Sequence, residues 1–411
     1  MPEPRVLVPA KSLARTLALL FVLVALFASA ADAKPAQPPE PAAEAWLLID
    51  ARDGERLAAD DPADERSIAS ATKLMTAYLA LQQPDLDARV TAPDYQPAAA
   101  AESLLGLETG EMVSYRDLVY ALILASANDG AVTVAEGVSG SVDAFVAAMN
   151  SAADELGLDR TSYANPIGLD EAGNYSTAED LAELTTILLE DPFFRRVADT
   201  EAKTIETDRA TRSIDTRNVL LTQVPWVTGV KTGFTGEAGN VLVGSGERKG
   251  VRLIAVVLGA PTEADRDAGV RSLLEYGFAQ YREETPVQVR EPFAEPEVDS
   301  GGTVDLVAAK SVRVTARRDQ QFETAVDAPD ELEGPFEEGD RFGRVSVTLD
   351  GRKVGSAPLV AAAAAPAPSV SDEFTGNFPT LAVIGGAVFV IVVALVIVRR
   401  TRRRPLGEER V

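Results

Sequence analysis

The chain has 411 residues, a formal net charge of −24, no histidine and no cysteine. Without histidine there is no Ser-His-Asp triad and no His-ligated zinc centre; without cysteine there is no thiol nucleophile, disulfide or Cys-based metal site. The acidic balance argues against nucleic acid as a partner, and the length allows two or three domains.

Residues 1–33 read as a secretory signal. Arg5, Lys11 and Arg15 form a basic start, Leu17 to Phe27 a short apolar run, and Ala28-Ser29-Ala30 and Ala31-Asp32-Ala33 offer small-x-small cleavage sites. A Pro/Ala linker, 34–43, follows. Trp46 to Asp50 and Arg56 to Ala58 read as strands around an Asp53-Gly54 turn. Ser70-Ala71-Thr72-Lys73 opens an apolar segment through Leu81, a helix that ends before Pro84. A second helix is expected over 115–124. A polar break, Ser126-Ala127-Asn128-Asp129-Gly130, comes next, then a helix over 142–156 stopped by Gly157.

Asn165-Pro166-Ile167-Gly168-Leu169 is a loop signature, and Thr177 or Ser176 caps a helix through Leu189. Strands are expected at 227–231, 240–245 and 251–258, the last two joined by a hairpin at 246–250. A helix with Leu273, Leu274, Phe278 and Tyr281 on one face follows. Strands at both ends with helices between predict an α+β domain over 44–282: an antiparallel sheet packed against a helical cluster. Short β segments after Arg282, with a hairpin signal at Asp350-Gly351, predict a small all-β domain over 286–360. An Ala/Pro-rich tether, 361–379, leads to an uncharged run, 380–398, long enough to be one transmembrane helix. Five arginines between 399 and 404, in a basic tail over 399–411, place that end in the cytoplasm and everything between signal and span outside.

Three short motifs carry chemistry. Ser70 and Lys73 stand at i and i+3, on one face of a helix whose N-terminus offers free N–H groups to an oxyanion. With histidine and cysteine missing, the base for such a serine must be lysine, a carboxylate or tyrosine. Ser-x-x-Lys alone is weak, since a chain this long contains about one by chance. Ser126-Ala127-Asn128 lies at a break between helices, and alone reads as a turn or cap. Lys231-Thr232-Gly233 lies on an expected strand, where a missing side chain at Gly233 admits a substrate backbone.

Together, in this order and spacing, the three resemble the penicillin-recognising serine enzymes, and most closely the D-alanyl-D-alanine carboxypeptidases, the low-molecular-weight penicillin-binding proteins. Ser70 to Ala77, Ser126 to Asp129, Met149-Asn150, Leu156-Gly157, Asn165 to Leu169 and Lys231 to Thr235 carry the likeness, strongly over 42–282 and weakly over 286–360. Phe234 stands where some members have histidine, and Ala127 where glycine is usual.

The resemblance implies a serine β-lactamase/DD-peptidase-like fold and removal of the terminal D-Ala from peptidoglycan stem peptides through an acyl-enzyme. Penicillins and other β-lactams would acylate the same serine. It implies Ser70 as nucleophile, Lys73 as general base, Ser126 as proton relay, and Asn128 to orient Lys73 and the substrate amide. Lys231, Thr232 and Gly233 would bind the substrate, the first two holding its terminal carboxylate with support from Arg217. The backbone N–H groups of Ser70 and Phe234 would form the oxyanion hole. No metal or organic cofactor is implied. The expected location is the plasma membrane of a bacterium, crossed once by the C-terminal helix, with the catalytic domain on the outer side. A β-lactamase or transpeptidase of the same fold, or a catalytically weak cell-wall-binding scaffold, are the alternatives. Ser126-Ala127-Asn128 in place of Ser-Asp-Asn, and a second domain, count against the β-lactamase.

Overall fold

The computed structural model describes residues 37–100 and 102–367. The expected signal sequence, the start of the linker, most of the 361–379 tether, the 380–398 span and the basic tail lie outside the described residues. Among those described, no single helix is long and apolar enough to cross a membrane. The chain divides into two compact units, one to Phe278 and one from Ala279.

In the first unit, β1 (Ala45–Asp50) and β2 (Arg56–Asp60) form the expected hairpin. A 3-10 turn, Ala69–Thr72, runs into α1 (Lys73–Leu81). A small hairpin, β3 (Arg89–Thr91) with β4 (Met112–Ser114), precedes α2 (Tyr115–Tyr120). After α2 come α3 (Asn128–Ser139), α4 (Val142–Glu155), α5 (Ala178–Glu190) and α6 (Pro192–Ala198). A second hairpin, β5 (Ala202–Glu206) with β6 (Thr211–Asp215), and a short helix, α7 (Val219–Gln223), lead to three long strands. These are β7 (Val227–Thr235), β8 (Gly239–Arg248) and β9 (Val251–Ala260), followed by α8 (Glu263–Ala279).

The main sheet is antiparallel, in the order β2-β1-β9-β8-β7. The first strands of the chain thus pair with the last of the unit, and the helices from α1 to α6 form the loop between them. Every residue of β1 is buried because both faces of the sheet are covered. Ala45, Leu47 and Ile49 join the main core with Leu74, Leu118, Phe145, Leu184 and Val256. On the opposite face α8 lies so close that Gly244 meets Val270, and Gly277 meets Leu253 and Leu48. Helix starts follow local capping chemistry: Ser114, Ser141 and Thr177 each accept an N–H from three residues on, and Asp191 caps α6 with Pro192 behind it.

The differences from expectation have local causes. The helix expected over 115–124 ends at Tyr120 and continues as a π-helical turn, Ala121–Ala125. Of the polar segment after it, Ser126 is left-handed, Ala127 is extended at the N-cap, and Asn128 to Gly130 are already the first turn of α3. Tyr281 does not continue α8; it opens the next strand, paired with Arg317.

The second unit is all-β. Its strands are β10 (Tyr281–Val287), β11 (Pro292–Ala294), β12 (Glu297–Val298), β13 (Leu306–Ala308), β14 (Val312–Arg317), β15 (Phe322–Asp327), β16 (Glu331–Leu332), β17 (Arg341–Leu349) and β18 (Arg352–Ala361). A five-stranded sheet, β11-β13-β18-β17-β15, is joined by the pairs β10-β14 and β12-β16. Asp350 and Gly351 both have positive φ, as a two-residue turn between β17 and β18 requires. Leu306, Ala308, Val345, Val347 and Leu359 centre its separate core.

Candidate active site

Ser70 lies in the 3-10 turn ahead of α1, half-buried, and the residue before it, Ala69, has φ +48°. A non-glycine residue at positive φ is uncommon and clusters at functional positions. Two glycines hold this turn in place. A Cβ on Gly168 would lie 2.0 Å from Ala69 O and 3.0 Å from Ser70 N; one on Gly233 would lie 3.0 Å from Ser70 N and from the Ala69 Cβ. The 165–169 loop and the Lys231-Thr232-Gly233 segment of β7 therefore meet at the backbone of the serine. The loop is itself braced, because Asn165 Oδ1 accepts from the N–H groups of Ile167, Gly168 and Leu169. Thr76 Oγ1 of α1 donates to Pro166 O at 2.7 Å.

Lys73 is fully buried, with Nζ 3.1 Å from Ser70 Oγ and 2.5 Å from Ile167 O. A neutral amine has two protons and one lone pair. With one proton directed at Ile167 O, the lone pair is available to receive the Ser70 hydroxyl proton. Burial lowers the Lys73 pKa to about 7; Glu102 opposes this, Arg217 reinforces it and Asp129 opposes it. Arg217 is thus a positive neighbour acting on Lys73. Lys231 is equally buried, and burial, then Lys73, Arg217 and Arg266, hold its pKa well below the ordinary lysine value. Lys231 Nζ donates to Thr232 O at 2.7 Å.

Ser126 is buried, at φ +59° and ψ +35°, directly after the π-helical turn. That turn packs on α1 and β7, and Leu124 O accepts the N–H of Arg217, whose side chain is exposed. Thr232 is buried, and Phe234 is 64% exposed where β7 forms the open edge of the sheet. The hydrogen bond from Asn128 Nδ2 goes to Glu102 Oε2, at 2.8 Å.

Glu102, and the role of Asp129, are what sequence reasoning did not find. Glu102 accepts from Tyr95 Oη, from Asn128 and from the N–H groups of Ala98 and Ala99. Burial alone would raise its pKa; the bonds from Tyr95, Asn128, Ala99 and Ala98 outweigh it and hold the carboxyl below its usual range. Asp129 accepts the N–H groups of Leu105, Gly106 and Leu107, which ties the 102–107 segment to the start of α3. Asp129 ends the Ser126-to-Asp129 motif but its role was not read there, and Glu102 has no motif signal; the partners of both are far along the chain. Among the described residues no group of three or more His, Cys, Asp or Glu side chains is placed to hold a metal ion.

The arrangement matches known proteins at three levels. A family model described as D-alanyl-D-alanine carboxypeptidase covers residues 32–262, and one described as the C-terminal domain of penicillin-binding protein 5 covers 282–367. A Bacillus subtilis protein named D-alanyl-D-alanine carboxypeptidase DacF is 30% identical over 330 residues, 78% of this chain and 85% of that one. The crystal structure of penicillin-binding protein 5 from Haemophilus influenzae superposes with a TM-score of 0.58 at 30% identity, over 80% of this chain and 99% of that one. A Streptomyces DD-transpeptidase structure superposes with a TM-score of 0.57 at 31% identity, over 59% of this chain and 100% of that one.

Proposed function

The chain belongs to the D-alanyl-D-alanine carboxypeptidase family, and on that footing we propose that it removes the terminal D-Ala from peptidoglycan stem peptides through an acyl-enzyme on Ser70. The observation that carries this reading is the buried Lys73 amine 3.1 Å from Ser70 Oγ. Ser70 Oγ attacks the carbonyl of the penultimate D-Ala and its proton passes to Lys73. The tetrahedral oxyanion is met by the N–H groups of Ser70 and Phe234. Collapse breaks the peptide bond, and the departing D-Ala amine takes a proton relayed through Ser126. Water then attacks the ester and frees the shortened peptide and the serine. Lys231 and Thr232 hold the terminal carboxylate, whose negative charge favours the protonated form of the buried Lys231 amine, with Arg217 at the rim. Asn128 hydrogen-bonds the substrate amide. A β-lactam carries a carboxylate and a strained amide in a similar relation, so it acylates the same serine.

The test is paired. The purified protein is treated with a penicillin and the adduct mapped by mass; a peptide ending in D-Ala-D-Ala is then supplied and free D-Ala is measured. An adduct on Ser70 with D-Ala release is expected; an adduct without release sinks the carboxypeptidase reading. The likeness to the Streptomyces DD-transpeptidase favours one second reading, in which an amine replaces water as acceptor. Adding glycylglycine to the peptide assay separates the two, because a transpeptidase yields the longer peptide. The extracytoplasmic, membrane-anchored location is part of the proposal: the uncharged run 380–398 with arginines behind it supports a single span. Deleting residues 380–411 is expected to move the protein from the membrane fraction to the soluble one.

A further inference from the structure

One carboxylate beside the site has no place in the mechanism above. Glu102 is bonded to Asn128 Nδ2, to the Tyr95 hydroxyl and to two backbone N–H groups, those of Ala98 and Ala99. An ionised carboxylate only accepts hydrogen bonds, so it distinguishes the two ends of the Asn128 amide. The nitrogen end turns toward Glu102, and the oxygen end is the one left for other partners. Tyr95 remains a donor, since burial and then Glu102 push its phenol pKa up. The backbone bonds fix the carboxylate from the side of its own loop. Asn128 is 5% exposed and follows Ser126 by two residues, so its orientation bears directly on the cleft.

We propose that Glu102 is a positioning residue for the acyl transfer: it locks the Asn128 amide with its oxygen as the free acceptor, and it supplies the negative charge that offsets Arg217 at Lys73. This rests on the acyl-transfer reading of Ser70 and Lys73. Three charged groups act on Lys73: Glu102 from the loop between β3 and β4, Asp129 from α3 and Arg217 from the loop before α7; Lys73 and Arg217 in turn lower the pKa of the Lys231 amine on β7. Asp129 spends its carboxylate on three loop N–H groups. Arg217 favours a neutral Lys73. Glu102 is the strongest charge pulling the other way, so its removal makes Lys73 neutral at lower pH.

The test follows penicillin acylation of Ser70 against pH for Glu102→Gln, Glu102→Asp and Tyr95→Phe, with melting temperature recorded for each. Glu102→Gln keeps the size but loses the charge and can present either end of its own amide to Asn128. Its plateau acylation rate is expected to fall about 10-fold, the scale of a misplaced contact, and its acid limb to move down by roughly half to one pH unit. Glu102→Asp and Tyr95→Phe keep the charge; they are expected to lose plateau rate and leave the limb where it is. A limb that stays fixed in a folded Glu102→Gln, or moves equally in all three, overturns the charge role. A wild-type plateau in Glu102→Gln overturns the orienting role. Acylation does not depend on D-Ala release, so a wild type that is acylated but releases no D-Ala sinks the substrate assignment and leaves this result standing.

Discussion

At the scale of single residues the site is defined by a lysine that would be more stable elsewhere. Burial lowers the Lys73 pKa to about 7, so penicillin acylation is expected to rise through about pH 7 as the amine loses its proton. A rate flat from pH 5 to 9 would remove Lys73 as the base. The same shift has a stability consequence. Between about 7 and the ordinary lysine value the unfolded chain carries a proton that the fold does not, so stability rises with pH across that window. Below about 7 the cost of burying the ammonium is fully present. Lys73→Met, similar in length and apolar, is therefore expected to lose acylation by about a thousandfold or more. It is also expected to gain roughly 1–4 kcal/mol of stability at pH 6, read as a higher denaturant midpoint. Ser70 and Lys73 were legible in the sequence because their contact spans only three positions, from the 3-10 turn to the first residue of α1. Glu102 was not, because what marks it is the bond to Asn128, 26 residues away, and the turn at 98–99 that presents it.

Elements meet at the nucleophile through glycines, and this makes their packing testable one methyl at a time. Gly168 and Gly173 both sit at positive φ, +83° and +90°, so an alanine strains the backbone at either. Only at 168 does the added carbon strike something, 2.0 Å from Ala69 O; at 173 nothing lies within 4 Å. Gly173→Ala is expected to cost about 1 kcal/mol and leave acylation unchanged. Gly168→Ala is expected to cost about 2 kcal/mol or more and to slow acylation at least about 10-fold, because the Ser70 turn must shift. Equal effects on acylation would show that the loop does not position the serine. The same locality explains which elements the sequence disclosed. Caps at Ser114, Ser141 and Thr177 and the apolar spacing of α4 and α5 are local signals: α4 and α5 lie where expected, and α2 starts where expected though it ends early. The start of α3 was hidden because Ser126 to Gly130 has the composition of a loop. Left-handed Ser126 and extended Ala127 make the turn, and the helix begins at Asn128. The β5-β6 hairpin was hidden as well: its strands are mostly exposed, with only Ile205 and Ile214 buried, so no long apolar run announces them.

At the scale of the whole chain, the sequence disclosed two bodies of different class but not how the strands of each are ordered. β1 pairs with β9 across some two hundred residues, and no local pattern records that choice. Every residue assigned to the reaction, and both groups added by the structure, belong to the unit that ends at Phe278. Its main core draws on residues from Ala45 to Leu258, while the β unit has its own, from Val287 to Ala361. The Streptomyces DD-transpeptidase structure is matched over its full length by 59% of this chain, so a related protein folds with no counterpart to the remainder. Two separate cores each meet the condition for independent folding. A chain of residues 37–282 is therefore expected to take up penicillin at Ser70 within about two-fold of the rate of residues 37–367. The cut falls after α8, because Phe278 packs edge-on against Trp226 and its loss would expose that ring. Penicillin is a fair probe because it needs only the cleft. A shorter chain that melts normally yet acylates many-fold more slowly would mean that the β unit shapes the site, and the division of labour between the two cores would fail.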